Sequence, residues 1–145
     1  MSARWFPDSM PSPAATARTQ PFWEAARRHR MTVLRCASCR AFRHPPRPIC
    51  PYCRSFEAAW EQVPGSGTLF SYTVVHTPFH PSVREVVPYV IAVIELDGTD
   101  GTRFLSNLVD APLEALHTGL PVEVVWEDMS EQLTVPRFRL HHASA

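Results

Sequence analysis

Apolar and polar residues alternate along two short stretches in the second half of the chain. A period of two is typical of β-strands with one buried face, and residues 67–77 and 121–127 show it, while residues 102–109 and 133–140 are two further predicted strands. Residues 88–96 are instead almost continuously apolar, which suits a central strand. A turn with two glycines follows this run and predicts a hairpin. The pattern therefore predicts five strands.

A short helix is predicted between the third and fourth of these strands. Asp110 can cap its N-terminus, Pro112 suits its first turn, and Gly119 follows its end. The order β-β-β-α-β-β is that of the five-stranded oligonucleotide/oligosaccharide-binding (OB) barrel. An open β-sandwich is the rival architecture, and the helix in this position favours the barrel. The fold class is thus mainly β.

The N-terminal region has a different pattern. Residues 1–18 show no apolar periodicity and predict an extended arm, poorly ordered alone, whose Trp5 and Phe6 could anchor it to a partner. Residues 19–31 predict a helix with four residues on one face: Phe22, Ala25, Ala26 and His29. This face could pack on the chain's own domain or on a partner subunit. Three regions follow from these patterns: an arm and helix (1–31), a cysteine-containing segment (32–62) and a barrel (63–145).

Charge divides the chain in two. Residues 1–54 carry ten Arg against Asp8 and Glu24, a balance of +8, whereas residues 55–145 carry four Arg against twelve acids, a balance of −8. The basic half is expected to face an anionic partner surface, a phosphorylated cofactor or nucleic acid. Four acids near the C-terminal end predict a solvated face of the barrel: Glu123, Glu127, Asp128 and Glu131.

The four cysteines form two C-x2-C pairs, Cys36 with Cys39 and Cys50 with Cys53, separated by ten residues. Two residues between thiols allow one tight turn to aim both sulfurs at one point, and two such turns complete a tetrahedron around Zn²⁺. Four protein ligands leave no open position, so the zinc is expected to be structural. Iron in a rubredoxin-like site, redox use of Cys50 and Cys53, and disulfides are the alternatives.

No convincing set of nucleophile, base and acid is present in the sequence, and no catalytic residue is predicted.

The chain has no apolar run of about 18 residues and no apolar signal core near its N-terminus. We therefore expect a cytoplasmic protein without a membrane span. Paired cysteines in that compartment hold metal more often than they form disulfides.

Several segments in this order resemble one known family. They are residues 21–28 (Pro-Phe-Trp-Glu-Ala-Ala-Arg-Arg), the Cys36/Cys39 pair, residues 45–53 (Pro-Pro-Arg-Pro-Ile-Cys-Pro-Tyr-Cys), residues 65–76, residues 78–81 (Pro-Phe-His-Pro) and residues 88–96. The chain resembles the DUF35 family of zinc-ribbon OB-fold proteins from about residue 20 to residue 140. Arg40 and Arg54 stand where many members carry Gly, which accepts a positive φ at lower cost. This departure makes the two positions a test of the ribbon geometry.

The resemblance implies an accessory subunit. Members pair with thiolase-fold enzymes, including thiolases and steroid side-chain aldolases, and others pair with MaoC-type enoyl-CoA hydratases. The helix and ribbon are implied to dock on the partner, with Phe22, Trp23, Arg27 and Arg28 as candidates. The barrel is implied to help shape an acyl-CoA site, for which the candidates are Phe79, His80, Arg84 and Arg47.

Two hypotheses therefore follow. In the first, the chain is the non-catalytic partner of an acyl-CoA-processing enzyme in a hetero-oligomer. In the second, it is a nucleic-acid-binding module, because OB folds and zinc ribbons both bind nucleic acids. The acidic barrel opposes a phosphate path across its usual binding face, so the first hypothesis is favoured. The sequence alone names neither the acyl group nor the partner.

Overall fold

The computed structural model describes residues 3–142. The helix α1 spans Gln20–Arg27. Three short strands follow it: β1 (Thr32–Cys36), β2 (Phe42–Arg43) and β3 (Ala58–Gln62). Five longer strands come next: β4 (Ser66–Val75), β5 (Tyr89–Leu96), β6 (Arg103–Leu108), β7 (Pro121–Asp128) and β8 (Thr134–Leu140).

The strands form two sheets. The short strands make an antiparallel sheet in the order β2-β1-β3, which we call the ribbon sheet. The long strands close into a barrel in the order β4-β5-β6-β8-β7, and the pairing of Ser66 in β4 with Glu123 in β7 completes the circle. Strands β6 and β8 run parallel and all other barrel pairs are antiparallel. The predicted mainly β fold with a five-stranded barrel is confirmed.

The barrel is filled by side chains that alternate along its strands. Strand β5 is buried at every second residue, and its central residues Ala92 and Ile94 have no exposed surface. Leu69 from β4 and Phe138 from β8 are equally buried. Strands β4 and β5 approach closely at Gly67, where an added Cβ would lie 2.5 Å from the Glu95 carbonyl oxygen. A residue with any side chain would therefore force these strands apart.

Helix α1 covers one end of this core. Phe22, Ala25 and Ala26 are buried, and the Phe22 ring lies 5.9 Å from that of Phe104. The helix therefore packs on its own chain, one of the two arrangements considered above. The predicted range of 19–31 was too long, because His29 has φ of 57° and lies beyond the helix end. His29 instead stacks on Trp126 at 5.4 Å and is exposed.

The N-terminal arm is held by a buried acid. Glu127 has no exposed surface and accepts hydrogen bonds from the backbone N–H groups of Trp5 and Phe6, the latter at 2.8 Å. The prediction that Glu127 belongs to a solvated acidic face was wrong, because Arg137 pairs with it inside the structure at 2.8 Å. Phe6 is buried against Tyr89, so this aromatic anchors the arm to its own barrel rather than to a partner.

The predicted helix between β6 and β7 is a single 3₁₀ turn, Leu113–Ala115. Asp110 does not cap it, because this residue has φ of 56° and the turn begins after Pro112. The chain covers the barrel end here without a regular α-helix.

Within residues 3–142, none of the helical segments has the length and apolarity that crossing a membrane requires.

Candidate functional site

The four cysteines meet at the end of the ribbon sheet. Their sulfur atoms all lie within 4.8 Å of one another. The sulfurs of Cys36 and Cys53 are 3.5 Å apart, and those of Cys39 and Cys50 are 3.6 Å apart. Tetrahedral Zn²⁺ with Zn–S bonds near 2.3 Å separates its sulfurs by about 3.8 Å, whereas a disulfide bond is only about 2 Å long. The arrangement therefore suits a Zn²⁺ ion held by four thiolates.

The two C-x2-C turns are copies of one another. In the first, the Arg40 N–H donates to the Cys36 carbonyl at 3.2 Å and the Cys36 N–H donates to the Ala41 carbonyl. In the second, the Arg54 N–H donates to the Cys50 carbonyl at 3.0 Å and the Cys50 N–H donates to Ser55. Each turn therefore presents its two sulfurs in the same way, as a twofold arrangement around one ion requires.

Arg40 and Arg54 adopt the backbone conformation that glycine usually supplies. Their φ angles are 67° and 65°. The ribbon geometry is therefore kept despite the missing glycines, at the cost of two non-glycine residues in the left-handed region. Two contacts of Arg40 offset part of this conformational cost. Its guanidinium lies 3.8 Å from the Glu61 carboxylate, and its carbonyl accepts a hydrogen bond from the Arg35 side chain at 2.6 Å.

Backbone N–H groups favour thiolates at this site. The Cys39 N–H, aided by Ser38 and neighbouring sulfurs, lowers the pKa of Cys36 to about 6 against the opposing effect of burial. The Cys53 N–H likewise lowers the pKa of Cys50. The Ala41 N–H acts the same way on Cys39, but burial and the three other sulfurs outweigh it and raise that pKa to about 11. A metal ion binds thiolates and displaces their protons, so its affinity for such a site depends on pH.

A wide apolar cleft opens between α1, the ribbon and the barrel. Its volume is about 550 Å³. Aromatic side chains from all three parts line it, and a few polar groups lie along one wall. The lining includes Phe22, Trp23, Trp60, Phe104, Asn107 and Arg137. A mostly apolar cavity of this size with a few polar groups is typical of small-molecule sites.

A second, polar cleft lies between the ribbon and the turn that joins β5 to β6. Its volume is about 450 Å³. Three arginines line it, Arg43, Arg47 and Arg103, and Tyr52 forms part of its edge. The barrel contributes residues 99–103. The polar cleft therefore belongs to both units of the fold.

The two clefts meet at His44 and Pro45, which line both of them. The His44 ring packs on Phe104 at 4.8 Å, and burial lowers its pKa. The sequence alone did not single out His44 as a candidate ligand residue. Its place at this junction depends on a ribbon–barrel contact that spacing along the chain does not reveal.

The candidate ligand residues fall into two groups. Arg47 lines the polar cleft, as noted above. Phe79, His80 and Arg84 lie on the exposed loop between β4 and β5, and the polar and apolar clefts are lined by other residues of the described chain. His80 caps the 3₁₀ turn Pro81–Val83 by accepting from the Ser82 N–H at 3.2 Å. A ligand role for these three loop residues stays a prediction.

The candidate docking residues differ in accessibility. Phe22 is buried in the chain's own core and also lines the apolar cleft, and a docking role for it stays a prediction. Trp23 is half-buried and lines the apolar cleft, while Arg27 and Arg28 are exposed at the end of α1. The exposed arginines and Trp23 stay candidates for partner contact.

The metal centre and the closed barrel together define a zinc-ribbon protein with a C-terminal OB-type domain. Two family models match: "ChsH2, rubredoxin-like zinc ribbon domain" over residues 23–58, and "ChsH2, C-terminal OB-fold domain" over residues 60–127. A "DUF35 domain-containing scaffold protein" of Methanothermobacter thermautotrophicus is 33% identical over 72% of this chain and 77% of the relative. The chain belongs to this ChsH2 (DUF35) family.

Two further similarities bear on function. A "Probable enoyl-CoA hydratase alpha subunit" of Thermomonospora curvata is 42% identical over 89% of this chain but only 39% of the relative. The chain thus spans about two fifths of that protein's length. A chain in the structure of an "Ltp2-ChsH2(DUF35) aldolase" matches with a TM-score of 0.79 and 40% identity, covering 89% of this chain and 98% of that chain.

Proposed function

We propose that this chain is a non-catalytic accessory subunit that pairs with a thiolase-fold enzyme, a thiolase or a steroid side-chain retro-aldolase, and helps form its acyl-CoA site. One observation carries the proposal. This chain covers 98% of the length of the similar chain that is described as part of an Ltp2-ChsH2(DUF35) aldolase. That similarity includes both the ribbon and the barrel, so the same units are available for the same kind of assembly.

The two clefts support an acyl-CoA ligand. An acyl-CoA joins an apolar acyl group to an anionic nucleotide, and the chain offers an apolar cleft and an arginine-lined cleft that share His44 and Pro45. A few polar groups at the apolar wall, Ser106, Asn107 and Arg137, could orient a carbonyl or hydroxyl group.

The end of α1 is the proposed contact with the partner enzyme. Arg27 and Arg28 are exposed there, and Trp23, one helical turn before Arg27, lines the apolar cleft. Exposed guanidinium groups pair well with carboxylates across an interface. The double variant Arg27→Glu/Arg28→Glu should weaken assembly because it reverses two charges on an otherwise folded helix surface.

Co-expression with the thiolase-like protein encoded nearest to it tests the proposal. We expect a stable hetero-oligomer by size-exclusion chromatography with light scattering. We also expect the thiolase-like protein alone to lose activity on its acyl-CoA substrate. A chain that stays monodisperse beside a fully active enzyme would refute the proposal.

A MaoC-type enoyl-CoA hydratase is the second candidate partner. The 42% identical relative named as an enoyl-CoA hydratase alpha subunit favours it. The same co-expression with a MaoC-like protein separates the two candidates, because only the true partner should co-elute. The assay then follows hydration of an enoyl-CoA in place of carbon–carbon bond cleavage.

A further inference from the structure

The N-terminal arm forms part of the wall of the apolar cleft. Phe6 and Met10 line the cleft, and both come from residues 3–19, which contain no helix or strand. Phe22 and Phe104 line it as well, but these two rings belong to the barrel core. A change in a close-packed core disturbs the whole fold, whereas irregular segments on a rigid scaffold tolerate change. The arm is therefore a wall of the cleft that can change shape without rebuilding the core.

A buried carboxylate holds the arm in this position. Glu127 has no exposed surface, and its Oε2 accepts hydrogen bonds from the backbone N–H groups of Trp5 and Phe6, the latter at 2.8 Å. Its Oε1 accepts from Nε and Nη2 of Arg137 at 3.1 and 2.8 Å. Because a buried carboxylate is costly unless it is paired and hydrogen-bonded, the arm supplies donors that Glu127 needs.

Arg137 links this carboxylate to the cleft. It is 9% exposed and lines the cleft beside Asn107, whose side-chain oxygen accepts from its Nη1 at 2.8 Å. Its guanidinium lies over the Phe6 ring at 4.4 Å, and that ring meets Tyr89 edge-on at 5.8 Å. Burial alone does not ensure such pairing, because Arg43 is 4% exposed and its Nε and Nη2 have no hydrogen-bond partner within residues 3–142. Both the backbone and the ring of Phe6 are thus fixed.

The rest of the arm is held close to the barrel. Residues 10–13 and the hairpin that joins β7 to β8 line a gap of only about 30 Å³, so little space separates them. Near the start of α1, the Gln20 N–H donates to the Thr16 carbonyl at 2.8 Å. The arm is therefore held at both ends, and Met10 lies between them.

We infer that the arm sets the size of the apolar ligand that the cleft accepts. Phe6 and Met10 are the size-determining residues, and Glu127 is a positioning residue that acts through Phe6. The cleft has its volume of about 550 Å³ with both side chains in place, so a smaller residue at either position enlarges it. That the ligand is an acyl group rests on the proposed function, whereas the size limit rests on the arm contacts alone.

Titration of the zinc-loaded full chain with unbranched primary alcohols, from hexanol to tetradecanol, tests this size limit. These probes carry neither charge nor nucleotide, so they do not depend on the arginines of the polar cleft. Trp23 and Trp60 line the apolar cleft, so tryptophan emission reports binding there. Each added methylene should raise the affinity about fourfold until the cleft is filled, and longer alcohols should gain nothing further. The chain length at which the gain stops is the size limit.

Substitutions in the arm should move this limit in opposite directions. Met10→Ala and Phe6→Ala should extend it by about two methylene groups, which raises the affinity for the longest alcohols roughly fifteenfold. Met10→Trp should shorten it, and a general loss of stability would not produce shifts of opposite sign. Phe56→Ala is the matched control and should keep the wild-type limit, because Phe56 is 73% exposed and lies outside the lining of the apolar cleft.

Glu127→Gln tests the positioning role. The amide keeps the shape of the side chain but loses the charge that pairs with Arg137. We expect faster hydrogen exchange at the amides of Trp5 and Phe6, together with the same extension of the limit as in Phe6→Ala. A merely structural role would lower stability and leave the limit unchanged. Met10 is half-buried, so its variants test the size limit independently of how well Glu127→Gln folds.

Three results would overturn the inference. The first is a wild-type affinity that rises through the whole alcohol series, or no alcohol binding at all. The second is a limit that is the same in wild type, Met10→Ala and Met10→Trp, and the third is an equal shift in Phe56→Ala and Phe6→Ala. The titration needs no partner enzyme, so its failure leaves the accessory role standing. A limit that moves as expected, beside a partner enzyme that does not need the chain, would refute the proposed function alone.

Discussion

The barrel and the ribbon are stabilised by different means. The barrel has a continuous interior in which Leu69, Ile94 and Phe138 are fully buried. The ribbon consists of strands of five, two and five residues, and at its metal-binding end the fully buried side chains are Cys36 and Cys50. The base of the ribbon joins the barrel core through Val33, with Phe42 and Trp60 packed against the same core. Apolar burial suffices for the barrel, whereas the ribbon tip depends on its ion.

Removing the metal should show most clearly that the ribbon and the barrel are stabilised by different means. Chelation, or Cys39→Ser with Cys53→Ser, should remove on the order of 10 kcal/mol of apparent folding free energy from the ribbon tip. Residues 36–56 should then lose amide protection in hydrogen-exchange mass spectrometry, while the barrel strands keep theirs. Re-addition of Zn²⁺ to the chelated wild type should restore protection and serves as the control. Collapse of the barrel on chelation would contradict the comparison.

The next largest effect is expected at Glu127 in β7, where the N-terminal arm covers the barrel. Glu127→Ala leaves Arg137 buried without its carboxylate and frees the backbone N–H groups of Trp5 and Phe6. We expect a loss of about 3–5 kcal/mol in the free energy of unfolding, measured by urea denaturation. Glu123→Ala is the control, because its pair with Arg139 is largely exposed and should cost under about 1 kcal/mol. Similar losses in both variants would show that the arm is not anchored by this buried pair.

A smaller, pH-dependent effect is expected where the two units meet, at His44. Burial lowers its folded-state pKa from the ordinary 6.5, so the unfolded chain takes up its proton first as pH falls. The stability that the neutral ring contributes is complete above about pH 6.5 and is lost as pH falls towards the lowered folded-state pKa.

His44→Gln should therefore flatten the fall in stability between pH 7.5 and pH 6 relative to wild type. Urea denaturation of zinc-loaded protein, with zinc content checked at each pH, measures this. His76→Gln, at an exposed position, should leave the pH profile as it is in wild type. If the free energy of unfolding of His44→Gln varied with pH as it does in wild type, residues other than His44 would be responsible for the pH dependence.

The smallest effect concerns the two copied turns of the ribbon. Arg54→Gly should stabilise the zinc-loaded ribbon by about 0.5–1 kcal/mol, because glycine accepts φ near 65° while costing some unfolded-state entropy. Arg40→Gly should gain less, since it also removes the 3.8 Å contact with Glu61. Zinc affinity by competition with a chelating dye provides the measurement. Destabilisation by Arg54→Gly would mean that its side chain has a role in the ribbon.

Local patterns predicted much of this molecule from its sequence. The nearly continuous apolar run of β5 and the spacing of the cysteines depend on neighbours along the chain, and the strand and the four-cysteine cluster that they predict agree with the structure. The errors occurred where distant residues decide the outcome. Glu127 resembles the acids around it in sequence, and only its pairing with Arg137 makes burial favourable. Arg43 likewise gave no local signal, because its unpaired nitrogens become visible only when the ribbon packs on the barrel.

The shared lining of the polar cleft joins two separately stabilised units. Arg43 and Tyr52 come from the ribbon, and Arg103 comes from the barrel. If zinc orders the ribbon half of this cleft, zinc and a cleft ligand form a thermodynamic cycle. Any factor by which zinc tightens the ligand must equal the factor by which the ligand tightens zinc. The chain would then retain its metal most firmly while carrying a ligand, and give it up most readily when empty.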